Sequence, residues 1–185
     1  MAFRDALKNL ISTDKIASVF CNPDDAYSSC TGYIVAVSDE YFIMKGVTFD
    51  GYADGYLLRH YNEIFRLDID CEYEKRLMQL YCKFEQAHEP FDNEGENLLA
   101  VFFKHAEKNH LVVGLGIRDY DEKSIYAFVR EVDIKNQILK LDEINDDGKE
   151  TDGICLVCFD AVKRASVCSK DEAKLQLLNQ INHEK

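Results

Sequence analysis

Apolar residues along the chain recur with two periods, one typical of helices and one typical of strands. Helical spacing relates Phe3, Leu7 and Leu10, and it returns at Leu98 and Phe102. Strand-like runs of apolar residues predict five strands after each of these helices, followed by a closing helix. The predicted strands cover 15–21, 30–38, 40–47, 55–61 and 63–69 in the first half, and 110–117, 124–134, 137–144, 153–159 and 161–167 in the second.

The two halves also resemble each other in sequence. Residues 53–80 align without a gap on residues 151–178, with seven identities in 28 positions. The identical pairs are Asp54/Asp152, Gly55/Gly153, Leu58/Leu156, Arg66/Arg164, Glu74/Glu172, Leu77/Leu175 and Leu80/Leu178. Upstream, the Asp-Gly pair at 50–51 falls on the Asp-Gly pair at 147–148. A period of this length indicates an internal duplication, with coincidence between two similar runs of strands as the alternative.

A boundary is predicted between the halves. Residues 87–97 hold one of only two prolines, together with glycine and several acidic residues, directly after a helical pattern. The predicted units are 1–88 and 94–185. Each is a mainly β unit of five short antiparallel strands, preceded and followed by a helix. Five such strands can close into a small barrel, which removes exposed sheet edges. Because residues 34–37 and 41–44 are apolar on both faces, we expect a helix, the other barrel or a second copy to cover the outer face.

Two segments of the first half carry a family resemblance. Residues 32–44, GYIVAVSDEYFIM, followed by residues 54–67, DGYLLRHYNEIFRL, resemble the two sequence motifs of the Sm-like, SH3-like small barrels. More narrowly, the order of elements resembles uncharacterised bacterial proteins built as tandem Sm-like units. The resemblance implies two tandem barrels, and it suggests RNA binding by analogy. The chain departs from the RNA-binding pattern, because Glu40-Tyr41 and Arg59-His60-Tyr61 stand where that pattern has Asp, Asn and an Arg-Gly turn.

Composition narrows the classes of function. The chain has 185 residues, 46% of them hydrophobic, which is enough to bury a core. Its formal charge is −12, and each half carries −6, so direct binding of a phosphate backbone is disfavoured. The N-terminus lacks the apolar run of a signal peptide, and no stretch is long and apolar enough for a membrane span. With seven cysteines read as reduced thiols, several of them in the core, we expect a cytoplasmic protein.

Three motifs bear on metal or catalytic chemistry. Cys155 and Cys158 form a CxxC pair, but they lie on a predicted strand, where residues three apart face opposite sides, so buried core thiols are favoured over a metal or redox site. The acidic run from Asp142 to Asp152 matches a calcium loop only in part, because Ile154 stands where the bidentate Glu is needed. The five histidines show no metal-binding pair. We therefore predict no cofactor, no metal and no enzyme activity.

Arginine and tyrosine mark the predicted binding residues. Arg66 and Arg164 are the basic residues that are identical between the halves, and they suit either an anion or a local salt bridge. Tyrosines crowd the same part of the first half and suit either an interface or the core. The predicted partner-binding residues are Tyr52, Tyr56, Arg59, Tyr61, Arg66 and Arg164.

These observations favour a non-enzymatic cytoplasmic binding or adaptor protein whose partner is a protein or a small anionic ligand. A homodimer formed through the doubly apolar strands is a further expectation. The alternative is an acidic protein that mimics nucleic acid and inhibits a nucleic-acid-binding protein. RNA binding by analogy with the Sm-like fold comes third, because the composition offers no basic half.

Overall fold

The computed structural model describes residues 2–91, 95, 97–117 and 124–184. The protein is mainly β, with four α-helices. It divides into two compact units, Met1–Leu98 and Leu99–Lys185, so the division falls where the third helix begins. The predicted boundary segment 87–97 lies partly outside the described residues. Within the described part of the chain, no helix is both long and apolar enough to cross a membrane.

The first unit is a five-stranded antiparallel sheet with two helices. Its elements are α1 (Ala2–Lys8), β1 (Ala17–Phe20), β2 (Cys30–Val37), β3 (Tyr41–Val47), β4 (Ala53–His60), β5 (Arg66–Ile69) and α2 (Glu72–Lys83). A single 3₁₀ turn, Tyr61–Glu63, separates β4 from β5. The strands lie in the order β5-β1-β2-β3-β4, so the fifth strand pairs beside the first.

The second unit repeats this arrangement. Its elements are α3 (Leu98–Asn109), β6 (Val112–Ile117), β7 (Ile125–Asp133), β8 (Ile138–Ile144), β9 (Cys155–Cys158), β10 (Val162–Val167) and α4 (Lys170–His183). The strand order β10-β6-β7-β8-β9 again places the last strand beside the first, and a 3₁₀ turn, Phe159–Ala161, again precedes the last strand. Each of the ten predicted strands overlaps one of β1–β10.

A helix packs on each face of the first sheet. On one face, Leu7 and Leu10 join the cluster around Phe42 and Met44. On the other face, Leu77 of α2 packs with the cluster that contains Ile16 and Val47. One face of the doubly apolar strands, the face of Ile34, Phe42 and Met44, is therefore covered inside the unit.

The corresponding core of the second unit uses matching positions. Val112, Ile144 and Leu175 form its cluster, where the first unit has Ile16, Val47 and Leu77. The Asp-Gly turns also match. Gly51 and Gly148 both have positive φ, and a Cβ at either position would stand within 2.6 Å of the Cβ of a leucine on the closing helix. Only glycine allows the turn to lie this close to the helix.

The structure shows two predictions about packing only in part. Barrel closure is not seen in hydrogen bonding, because β4 and β5 are not neighbours in the described sheet order, and neither are β9 and β10. All four residues of β5 pair with β1, and β5 stands at the end of the strand order of the first unit. The prediction that several cysteines lie in the core holds in part: Cys21 and Cys30 are half-buried and pack against the cluster around Phe42, whereas four of the seven thiols are exposed.

Candidate interaction surfaces

The six predicted binding residues do not form one site. Tyr52 lies at the surface, immediately before β4. Tyr56 is buried, and its hydroxyl donates a hydrogen bond to the carbonyl oxygen of Glu89 at 2.6 Å. Tyr61 lies in the 3₁₀ turn and packs against the core cluster around Phe42. Tyr56 and Tyr61 therefore serve the core, and only Tyr52 offers its ring to a partner.

The predicted arginines are largely engaged within the chain. Arg66 holds Asp68 with two hydrogen bonds, Nε to Oδ1 at 2.9 Å and Nη2 to Oδ2 at 2.5 Å. The same guanidinium lies over the ring of Phe20, 4.5 Å from its centroid. The hydrogen bond to Asp68 raises the pKa of Arg66. This geometry is a local salt bridge rather than an anion site.

Arg59 and Arg164 lie on different units. The guanidinium of Arg59 donates to the carbonyl oxygen of Leu58 at 2.9 Å. Arg164 is exposed on β10, and its side chain lies against Gly116 on β6, at the place that a Cβ would otherwise occupy.

Three exposed aromatic residues collect at one end of the first unit. Phe49, Tyr52 and Phe84 are 76%, 43% and 40% exposed, and we refer to them as the aromatic patch. The rings of Tyr52 and Phe84 are stacked, with centroids 5.0 Å apart and an interplanar angle of 13°. Exposed large aromatic side chains are typical anchors of protein interfaces.

A tight turn positions the patch. The backbone N–H of Thr48 donates to the carbonyl oxygen of Tyr52 at 2.9 Å, and the N–H of Tyr52 donates to the hydroxyl of Thr48 at 3.0 Å. Gly51 then lies directly against Leu80 of α2. The turn is thereby fixed on the end of α2 that carries Phe84, so the patch does not depend on a mobile loop for its shape.

The second unit builds the same turn with polar residues. Counting from the matched Asp-Gly turns and helices, Asp146, Lys149 and Asn182 replace Phe49, Tyr52 and Phe84. Asn182 ties the turn to the helix by donating to the carbonyl oxygen of Asp147 at 3.0 Å. Because this fold forms with polar residues at these positions, folding alone does not require the aromatic patch.

Sequence reasoning identified Tyr52 and missed the other two members of the patch. The signal for Phe49 was present, since a phenylalanine stands directly before an Asp-Gly turn where the other half has Asp146. Phe84 follows the last residue of the closing helix, Lys83, and is its exposed C-cap. A turn and a helix end that are distant in sequence meet only in the fold.

The CxxC residues do not resemble a reactive pair. Cys158 is exposed and Cys155 is half-buried, so the prediction that both are core thiols was wrong. Burial, together with a hydrogen bond and the negative charge at Glu143, raises the pKa of Cys155 to about 11. This thiol is protonated at neutral pH and is a poor nucleophile or metal ligand. Among the described residues, no three His, Cys, Asp or Glu side chains form a group that could hold a metal.

The acidic run is a hairpin turn. The side-chain oxygen of Asn145 accepts the backbone N–H groups of Asp147 and Lys149, both at 3.0 Å. The backbone closes the same turn, with the N–H of Gly148 donating to the carbonyl oxygen of Asn145 at 2.9 Å. The side-chain oxygen of Asn145, which a calcium loop would direct at the cation, is thus used inside the turn.

A segment that follows α2 crosses the first sheet, and we refer to residues 85–91 as the strap. His88 bridges two elements: its Nε2 lies 2.7 Å from the carbonyl oxygen of Gly46, and its Nδ1 lies 2.9 Å from the hydroxyl of Tyr81. A carbonyl accepts only, so Nε2 carries the proton and Tyr81 donates to Nδ1. Burial is the main reason that the pKa of His88 is lowered.

An open cleft of about 560 Å³ lies elsewhere on the first unit, lined by residues that include Arg4, Asp39, Glu40 and Asn97. Arg4 and Asp39 form an ion pair in this cleft. The cation is therefore neutralised by a neighbouring carboxylate, and Glu40 adds further negative charge. This combination does not favour an anionic ligand.

Comparisons with protein-family models, curated proteins and solved structures find no match to this chain. The Sm-like resemblance accordingly rests on the sequence segments named above.

Proposed function

We propose that this protein is a non-enzymatic adaptor that binds a protein partner through the aromatic patch. Its scaffold is proposed to be two tandem small barrels of the Sm-like, SH3-like type, each open along one side. The repeated strand order and the helix on each face of the first sheet support this reading of the scaffold. We further propose a cytoplasmic setting, in keeping with seven thiols and no disulfide.

The observation that carries the proposal is the exposure of Phe49. Its side chain is 76% exposed in a turn that the second unit builds with Asp146 at the same place. An exposed phenylalanine costs solubility, and here it brings no packing that the fold needs. Burial against a partner is the physical role that such a ring can fill, and the stacked pair of Tyr52 and Phe84 extends the apolar surface beside it.

The surroundings of the patch define the chemistry of the partner. Asp50 and Glu85 each follow a patch residue directly and are exposed, and the whole chain carries −12. A protein with an apolar pocket and a basic rim fits this surface, with the pocket giving affinity and the rim giving orientation. A small anion fits less well, because Arg66 is already bound to Asp68.

The test is capture of a partner by the tagged full-length protein and by Phe49→Ser. We expect this substitution to reduce the captured partner at least tenfold, because it removes the most exposed anchor without touching the core. The partner is identified from its dependence on Phe49, and its affinity is then measured by calorimetry with the purified pair.

The matched control is Tyr27→Ser, which removes another exposed aromatic ring, 94% exposed, from the loop between β1 and β2. This variant should capture the partner as the parent protein does. Equal capture by Phe49→Ser and the parent would contradict the proposal. Circular dichroism spectra and melting temperatures of both variants should match those of the parent.

The acidic-mimic function is the second candidate, and the even division of charge favours it, with −6 in each half. A mimic would be released from its partner by moderate salt and would capture a nucleic-acid-binding protein. Binding through the patch would persist, since apolar burial is not screened. Treatment of the same capture with RNase tests the RNA-binding alternative.

A further inference from the structure

The last helix carries a second apolar stripe that faces away from its own core. Leu175 and Asn179 of α4 are buried on the side that faces the sheet. On the outer side, Leu177 and Ile181 are 57% and 41% exposed, and Ala173, one turn earlier, is exposed as well. Residues four apart lie on one side of a helix, so the three form a continuous outer stripe.

The equivalent helix of the first unit has no such stripe. Aligned through the matched Glu74 and Glu172, α2 carries Lys75, Gln79 and Lys83 where α4 carries Ala173, Leu177 and Ile181. A helix in this position therefore forms and packs with a polar outer side. The apolar outer side of α4 is a property of the second unit that its fold does not require.

The outer stripe is complementary to itself when two copies run antiparallel. With Leu177 at the centre, a two-fold axis pairs Leu177 with its own counterpart and places the small Ala173 opposite the larger Ile181. The same operation places Lys170 at the beginning of α4 opposite Glu184, which follows its end. Opposite charges and opposed helix dipoles both favour this orientation over a parallel one.

We propose that two copies of this chain associate through an antiparallel pairing of their α4 helices. The surface is separate from the aromatic patch, which shares no residue with it. A pair of 14-residue helices buries less area than the roughly 1,600 Å² of a standard interface. The dimer is therefore weak, with a dissociation constant of about micromolar order or above, and it forms in a concentration-dependent manner.

The test measures the oligomeric state of the full-length protein by sedimentation velocity over a wide range of concentrations. The parent protein should shift from monomer to dimer as the concentration rises. The double variant Leu177→Gln, Ile181→Lys installs the residues that α2 carries at these positions. We expect it to stay monomeric while retaining the circular dichroism spectrum of the parent.

A matched control replaces two exposed isoleucines of the same unit that lie outside α4, Ile134→Lys and Ile154→Gln. This control should dimerise as the parent does. The proposal is overturned if the parent remains a monomer at every soluble concentration, or if dimerisation persists in the α4 variant. Loss of the dimer in both double variants would also count against it, because the effect would then not be specific to the stripe.

Charge exchange tests the antiparallel orientation. Lys170→Glu alone and Glu184→Lys alone should each weaken the dimer several-fold, because each sets like charges opposite one another. The two substitutions together restore opposite charges across the two-fold axis, and we expect them to restore the parent dissociation constant. A double variant that is weaker than either single variant would exclude this register.

Discussion

Glu74 and Glu172 are matched residues that the two units use differently. Each carboxylate is buried and accepts a hydrogen bond from a serine, Ser18 at 2.5 Å and Ser166 at 2.6 Å. In α4 the second oxygen of Glu172 also accepts the backbone N–H of Ser169 at 2.8 Å, which completes a capping box. In α2 the second oxygen of Glu74 is buried with no hydrogen-bond partner. The buried, unpaired oxygen of Glu74 therefore costs stability in the first unit, whereas the equivalent oxygen of Glu172 is hydrogen-bonded in the second.

The residue at the beginning of the helix also differs between the two units. Cys71 caps α2 with nearly the same backbone angles as Ser169, φ −75° and ψ 170° against φ −72° and ψ 173°. A thiol is a weak acceptor for the N–H groups of the first turn, whereas a serine hydroxyl accepts them well. The backbone is therefore already arranged for a capping box that the side chain does not complete.

We predict that Cys71→Ser raises the free energy of unfolding by about 0.5 to 1 kcal/mol. The new hydroxyl can accept an N–H of the first turn of α2 without any change in the backbone. Urea titration followed by circular dichroism measures the gain. Cys82→Ser is the control, because it makes the same chemical change at an exposed position within α2, and it should bring no gain. An equal effect of the two substitutions would show that capping is not the cause.

At the scale of elements, the strap is held to the first sheet by side-chain hydrogen bonds. The N–H of Ala53 donates to the side-chain oxygen of Gln86 at 3.2 Å, and the hydroxyl of Tyr56 donates to the carbonyl oxygen of Glu89. His88 adds the bonds to Gly46 and Tyr81. Only the neutral imidazole both donates to Gly46 and accepts from Tyr81, so the protonation state of His88 bears directly on this contact.

We predict that the strap loosens as the pH falls. Burial, the largest cause, and the nearby Lys45 lower the pKa of His88 below its ordinary value of 6.5, although the bond to Gly46 and the charge of Asp54 oppose the shift. The detached state then binds more protons than the docked state, so docking is at full strength above pH 6.5. It weakens as the pH falls from there to the lowered pKa of the docked state.

Hydrogen exchange of residues 85–91 at pH 7.5 and pH 5.5, corrected for the intrinsic exchange rates, measures this effect. Protection should fall at the lower pH in the parent and should become independent of pH in His88→Gln. The control His110→Gln removes an exposed histidine and should keep the dependence of the parent. If His88→Gln retains the full pH dependence, another group controls the strap.

The fold was predictable at the scale of elements, for physical reasons. The strands are short runs rich in β-branched and aromatic residues, and the closing helices carry leucines at helical spacing, such as Leu77 and Leu175, that reappear in equivalent core clusters. The binding residues were harder to predict. Tyr56 and Tyr52 are the same residue type, four positions apart, yet one is buried and the other exposed. That difference depends on where the strap and α2 lie, which periodicity does not specify.

At the scale of the whole molecule, the two units have equivalent core clusters and differ in their surfaces. The first unit has the aromatic patch and a polar α2, whereas the second has a polar turn and an apolar outer stripe on α4. Each unit acts as an internal control for the other, because the shared positions show what folding requires. On the two proposals made above, the first unit would be specialised for a partner and the second for a second copy of the chain.

This division of roles predicts how many partners one chain binds. Binding through the aromatic patch should give one partner per chain, since the second unit carries Asp146, Lys149 and Asn182 at the matched positions. A nucleic-acid mimic would instead draw on the charge of both halves, each −6. Its binding would weaken steeply with salt, because the screening length falls from about 10 Å at 0.1 M to about 3 Å at 1 M.

Calorimetric titration of the captured partner at low and high salt separates the two functions. For binding through the patch we expect a stoichiometry of one partner per chain and a dissociation constant that changes less than about threefold between 0.1 M and 0.5 M salt. The dimerisation variant Leu177→Gln, Ile181→Lys should give the same stoichiometry, because the outer stripe and the patch share no residue. A dissociation constant that rises a hundredfold with salt and does not respond to Phe49→Ser would instead establish the acidic surface as the binding site.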